Sequence, residues 1–277
     1  MKKKKVILFI ITILSLILGI FLIVFSLSGN ANEKFYEDGR FSKLDKAGNK
    51  ISLQDDIKSN ELNNTINSSN IKIESVNNDN KGLSYKDNKA KNELSNINFP
   101  KLQNKVPNLI GWLSIPELGI DQPIAQANDN NYYLTHNIFD EEDPAGSVFL
   151  ESNSSLSDPV KYIYGHYWTK NDMFGPLGKL INDRHPYTNA IIVDDKNNVK
   201  TYQLLGVKST DDDKGFNMQH FNSVNDEFNT WSEKYYNSHT QNYKYNGFVF
   251  NKEVLILITC HSHPDEPGRI IAYFQEV

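Results

Sequence analysis

The chain of 277 residues has a single cysteine, Cys260, so no disulfide can form within it and a secreted disulfide scaffold is excluded. It also lacks a basic stretch interleaved with aromatics. The only dense basic cluster is Lys2 to Lys5, and the formal net charge is -5, so a nucleic-acid partner is not expected. Apart from one segment, long apolar runs are missing too, and the mean hydropathy is -0.53. A large polar region must offset that segment.

The exception is Val6 to Leu27, 22 residues without a charge. A helix rising about 1.5 Å per residue would carry this run across the roughly 30 Å hydrocarbon core of a bilayer. Four lysines precede it, which predicts a cytoplasmic N-terminus and an extracellular remainder. A cleaved signal peptide is the competing reading, with Ser28 to Ala31 as a weak cleavage site. Its apolar region should be about 7–15 residues, so the length favours an uncleaved single-pass anchor. The expected division is a basic flank at 1–5, an anchor at 6–28, a flexible polar stalk at 29–98 and a folded domain at 99–277. The stalk, rich in Asn, Lys, Asp and Ser, has too little apolar surface to offset chain entropy, although a short helical turn around Lys89 to Leu94 is compatible with it.

From Phe99 the texture changes. Short strand patterns recur at Trp112 to Ile115, Ile120 to Ile124, Gly146 to Leu150, Lys161 to Tyr164, Ala190 to Asp194, Lys200 to Val207, Lys252 to Thr259 and Arg269 to Phe274. Seven or eight strands separated by turn signals predict a mainly β domain, closed or sandwiched. One segment, Phe216 to Asn237, has another period. Phe221, Val224, Phe228, Trp231 and Tyr235 recur every three or four residues, which predicts one face of a helix packed on the β core before the last strands.

Cys260 follows the apolar run Val254 to Ile258. A lone cysteine is either a small buried hydrophobe or a nucleophile, and a strand end suits the second role because it aims the group yet leaves it reachable. A thiol nucleophile needs a proton acceptor, and His166, at the end of another strand, is the candidate base. Arg269 opens the strand after Cys260. If the two strands pair, its guanidinium can turn back to hold a carbonyl or an oxyanion. Thr259 either fills the strand or touches substrate. His261 either offers a backbone N–H to an oxyanion or lines the loop. Cys260, His261 and His263 are a poor zinc set, because adjacent side chains at a strand end diverge, so no metal is expected.

The ordered set Tyr164-Gly165-His166, Thr259-Cys260 and Arg269 resembles the sortases, cell-surface cysteine transpeptidases of Gram-positive bacteria. Within that family, Gly165-His166-Tyr167-Trp168, Met173 to Leu177, Asn131 to Leu134 and Gly146 to Leu150 look like class B. The resemblance implies a closed seven- to eight-stranded barrel with an inserted helix. It implies Cys260, His166 and Arg269 as catalytic residues, Thr259 and His261 in weaker substrate or oxyanion roles, and no cofactor. The implied partners are sorting-signal peptides, cut at a Thr, and an amine of the peptidoglycan cross-bridge or of a pilin. Two other functions stay open: a cysteine endopeptidase that releases to water, and a non-catalytic surface binding module.

Overall fold

The computed structural model describes residues 42–52, 83–169, 172–182, 188–210, 218–239, 250–260 and 269–277. By its contacts the chain divides into two units, one of residues 43–50 with 69–277 and one of residues 1–42 with 51–68. The first carries all that follows. The apolar run Val6 to Leu27 lies outside the described residues, and among the described residues no helix is long and apolar enough to cross a membrane.

Folded structure begins upstream of Phe99. Helix α1, Tyr85–Ser95, falls in the span that sequence texture assigned to the stalk. It starts at a capping box in which Ser84 and Asp87 each accept from the other's backbone N–H. Its sequence is polar on most sides, but Ala90 and Leu94, with Ile97 beyond the helix end, are buried in the main core. The Asp87 carboxylate also accepts from Asn189 Nδ2 at 2.9 Å, tying the helix to a strand. Each of the two larger apolar side chains contributes about 1.5–3 kcal/mol on burial. Helix α2, Phe99–Gln103, follows at once, with Asn98 accepting from Lys101 N–H.

Nine strands come next: β1 Leu109–Ile115, β2 Ile120–Ala125, β3 Phe149–Leu150, β4 Val160–Thr169, β5 Asp172–Met173, β6 Asn189–Asp194, β7 Val199–Thr210, β8 Val254–Cys260 and β9 Arg269–Glu276. Eight of them close into a ring in the order β8-β9-β7-β6-β1-β2-β3-β4, with β8 pairing back to β4, and β5 hangs from the end of β4. The expected closed barrel is therefore present with eight strands. The closing pair β4–β8 is parallel, whereas β8–β9 and β9–β7 are antiparallel. Val254 to Ile258 are all fully buried, so both faces of the strand are covered, which explains its unbroken apolar run.

The inserted helix, α4, is shorter than the aromatic period suggests. It spans Asp226–His239 and stands between β7 and β8, after the single turn α3 at Lys179–Asn182. Asn225 decides its start, because its side chain accepts from Phe228 N–H at 2.9 Å and ends helical structure there. Phe221 and Val224 thus precede the helix, and Val224 is exposed. Phe228, Trp231 and Tyr235 do form a buried face. Phe221 packs 5.2 Å from Trp231, and Tyr235 stacks 6.0 Å from Tyr273 of β9.

Candidate active site

The backbone pairs two of the sequence candidates and starts the next strand at a third. In the parallel pair β4–β8 the register runs from Val254 opposite Val160 to Cys260 opposite His166. In the antiparallel pair β8–β9, Ile258 is opposite Ile271. The paired register ends there, two residues short of Cys260 on β8 and of Arg269 on β9. The strands are still joined near that point, because Ile270 N–H donates to Thr259 Oγ1 at 2.7 Å. His166 and Cys260 therefore occupy neighbouring positions on adjacent strands, about 4.7–4.9 Å apart in the hydrogen-bonding direction, and Arg269 opens the strand on the other side of β8, just past the last paired residues.

The surroundings of His166 determine its chemistry. Its Nε2–H donates to the Leu134 carbonyl at 2.7 Å. A carbonyl can only accept, so Nε2 carries the proton and Nδ1 holds the free lone pair. Nδ1 is buried and has no hydrogen-bond partner among the described residues. Burial lowers the pKa of the imidazole below the ordinary histidine value, and the Leu134 carbonyl only partly opposes it. The ring is accordingly neutral near pH 7 and has a base-competent nitrogen. Phe174 N–H, in the turn after β5, donates to the His166 carbonyl at 2.9 Å and fixes the backbone at this position.

The remaining candidates divide. Thr259 is 1% exposed, and its hydroxyl oxygen takes the Ile270 N–H, so it fastens the start of β9 beside Arg269 and has no open face for substrate. Arg269 is half-buried at the first position of β9, opposite Thr210 of β7. His261 lies outside the described residues. One participant was not anticipated, the Leu134 carbonyl. It belongs to a single 3₁₀ turn, Tyr132–Leu134, inside the Asn131 to Leu134 segment that carries part of the class B resemblance. A main-chain oxygen has no residue type to give it away, so only the segment was visible.

Comparison with known proteins supplies the family. The sortase domain model matches residues 113–277. The chain belongs to the sortase family. Among curated proteins it is similar to sortase B of Listeria monocytogenes, 39% identical over 83 residues, which cover 29% of this chain and 34% of that protein. The match thus spans about a third of that relative's length. Sortase B from Bacillus anthracis, solved in complex with AAEK1, shares the fold with a TM-score of 0.57 and 22% identity, covering 69% of this chain and 93% of that one. Staphylococcus aureus sortase B, solved as a substrate complex, has a TM-score of 0.55 and 18% identity, covering 65% and 84%. These sortase relatives are of class B.

Proposed function

We propose that this sortase is a cysteine transpeptidase of class B type that joins a sorting-signal peptide to an amine. The observation that carries the reading is the pairing of Cys260 with His166 across the parallel strands β4 and β8. A neutral imidazole whose open nitrogen has no other partner among the described residues supports the role of base.

In the first step the Cys260 thiol gives its proton to His166 Nδ1, and the sulfur attacks the carbonyl carbon of a Thr in the peptide. The carbonyl oxygen takes the negative charge, and Arg269, with a backbone N–H near Cys260, stabilises it. The C–N bond breaks, His166 protonates the leaving amine, and a thioester remains on Cys260. In the second step an amine attacks the thioester carbon and gives a proton to His166. The C–S bond breaks, an amide forms, and the thiol is regenerated. No metal or cofactor enters either step. The acceptor is an amine of the peptidoglycan cross-bridge or of a pilin. That S. aureus sortase B is solved with substrate supports a peptide-binding site on this fold.

The proposed setting is the outer face of a membrane. Residues 1–5 lie inside, 6–28 form a single-pass anchor, and a polar segment leads to the folded domain. Because α1 is packed in the main core, the working domain extends upstream of Phe99, and Leu44, buried in the same core, belongs to it as well. A fragment of residues 83–277 should melt at a higher temperature than one of residues 99–277, which lacks the buried side chains of Ala90, Leu94 and Ile97.

The test is a panel of fluorogenic sorting-motif peptides, with and without an amine acceptor, read by mass spectrometry for an acyl adduct on Cys260. An adduct that turns over faster with amine supports transpeptidation. One that turns over equally fast without amine supports an endopeptidase. No adduct, with Cys260 inert to alkylation, leaves a binding module.

A further inference from the structure

Gly146 stands in the left-handed region at φ +62 and lies directly beneath the turn that offers its carbonyl to His166. A β-carbon at this position would sit 2.3 Å from the Tyr133 carbonyl oxygen and 3.0 Å from that of Leu134. The approach is possible only without a side chain. The two segments are also stitched together. Asp143 N–H donates to the Thr135 carbonyl at 2.8 Å, Ser147 N–H donates to the Tyr133 carbonyl at 2.9 Å, and Ser147 Oγ donates to the His136 carbonyl at 3.1 Å. From the other side, Asp129 Oδ1 accepts from the N–H groups of Asn131 and Tyr132 at 2.7 and 2.9 Å. The carbonyl of Leu134 is therefore clamped between a carboxylate-capped turn and a glycine floor.

We propose that Gly146 is a positioning residue of the acyl-transfer site: it seats the Leu134 carbonyl against His166 Nε2 and so reserves Nδ1 for the proton transfers. The inference rests on His166 being the base. A side chain at 146 must push Tyr133 and Leu134 away by roughly 1 Å, enough to break a short hydrogen bond, and a displacement of that size can cost about 100-fold in rate. With the bond lost, the ring can turn and share its proton between the two nitrogens. The defect should appear in kcat with KM little changed, since no substrate contact is altered.

Strain must be separated from collision, and the fold supplies the control. Gly119, in the β1–β2 turn, has φ +71, and a β-carbon there would meet nothing within 4 Å. Gly119→Ala carries the backbone cost alone. Gly146→Ala carries both. Gly146→Asn carries the collision with less backbone cost, because Asn tolerates this region best among residues with a β-carbon. The experiment uses the full chain labelled with 15N-histidine. The Nε2–H signal of His166 is the one lost in His166→Gln.

The wild type and Gly119→Ala should show a slowly exchanging Nε2–H signal and equal kcat. Both Gly146 variants should lose the signal and at least about 10-fold in kcat. Should Gly146→Ala not fold, Gly146→Asn carries the comparison. A wild type without a protected Nε2–H overturns the proposal before any variant is made. So does a folded Gly146→Asn that keeps the signal and turns over within about two-fold of wild type. Failure of Cys260 to acylate in the wild type would instead defeat the parent reading, and the Nε2–H arm would still report on the contact.

Discussion

The closing pair of strands has two ends, and they treat buried polar groups in opposite ways. At the start of β4 and β8, Lys161 is fully buried, and every charge around it is met. Its Nζ donates to Glu253 Oε2 at 2.7 Å and to the Asp158 carbonyl, while Lys200 Nζ reaches Glu253 Oε1 at 2.6 Å and Tyr202 donates its hydroxyl to the same carboxylate. At the other end, some five residues and roughly 17 Å along the strands, His166 has a buried nitrogen that no group among the described residues meets. The same barrel wall thus satisfies one set of polar groups completely and withholds a partner from another. A satisfied network of this kind serves the fold, and the unpaired nitrogen opposite Cys260 is what the proposed base role requires.

That contrast can be broken by substitution at either end. The largest effect is expected from Cys260→Ala, which should lower peptide cleavage by at least about 1,000-fold with a change in melting temperature of no more than a few degrees. A variant that keeps its activity would remove the chemistry from this end. Next in size is Glu253→Gln. It strands the buried Lys161 ammonium and should cost about 3–5 kcal/mol in denaturant unfolding, with kcat unchanged while the protein stays folded. Replacing the cation as well, in Lys161→Met with Glu253→Gln, should recover most of that loss. Arg269→Lys keeps the charge but loses the fork, and steady-state kinetics should show a fall of about 10-fold or more in kcat/KM. Turnover near wild type would leave Arg269 out of the mechanism.

The smallest effect is on pH. Because burial depresses the His166 pKa, the acid limb of kcat/KM should have its midpoint below the ordinary histidine value of about 6.5. The sign for stability follows. Between the folded pKa and about 6.5 the unfolded chain binds a proton that the folded chain refuses, so stability falls as pH drops through that window. Glu253 acts in a lower range. Burial raises its pKa, but the hydrogen bonds from Lys161 and Lys200 outweigh that and hold it below the usual glutamate value. Its contribution is present above the unfolded value of about 4.3 and is lost as pH falls through the folded one. Urea titrations at pH 7, 5.5 and 3.5 would separate the two ends.

Sequence pattern foretold the strands of this barrel closely, since alternating and continuous apolar runs are local signals. It expected Cys260, His166 and Arg269 at strand ends; Cys260 ends β8 and Arg269 opens β9, whereas β4 continues three residues past His166, and the register pairs Cys260 with His166. It could not reveal that β4 and β8 pair in parallel, because partners more than ninety residues apart leave no local mark. Helix α1 escaped for a different reason. Between Tyr85 and Ile97 only Ala90, Leu94 and Ile97 meet the core among many polar residues, so the segment reads as stalk. Thr259 was open to two readings, and its hydrogen bond to Ile270 N–H favours the strand-filling one.

The parallel closure of β4 on β8 also bears on when the proposed activity could arise. Two strands so far apart in the chain cannot meet through a turn. Their contact must wait for the intervening β6, β7 and α4 to be organised, or else close a very long loop at an entropic cost. Cys260 and His166, the proposed nucleophile and base, are therefore brought together by a contact more than ninety residues long in sequence, one that exists only after β8 has been synthesised. On the proposed mechanism, an incompletely folded chain would have a thiol and an imidazole that do not meet. Completion of the barrel would then be enough by itself to gate the proposed reaction.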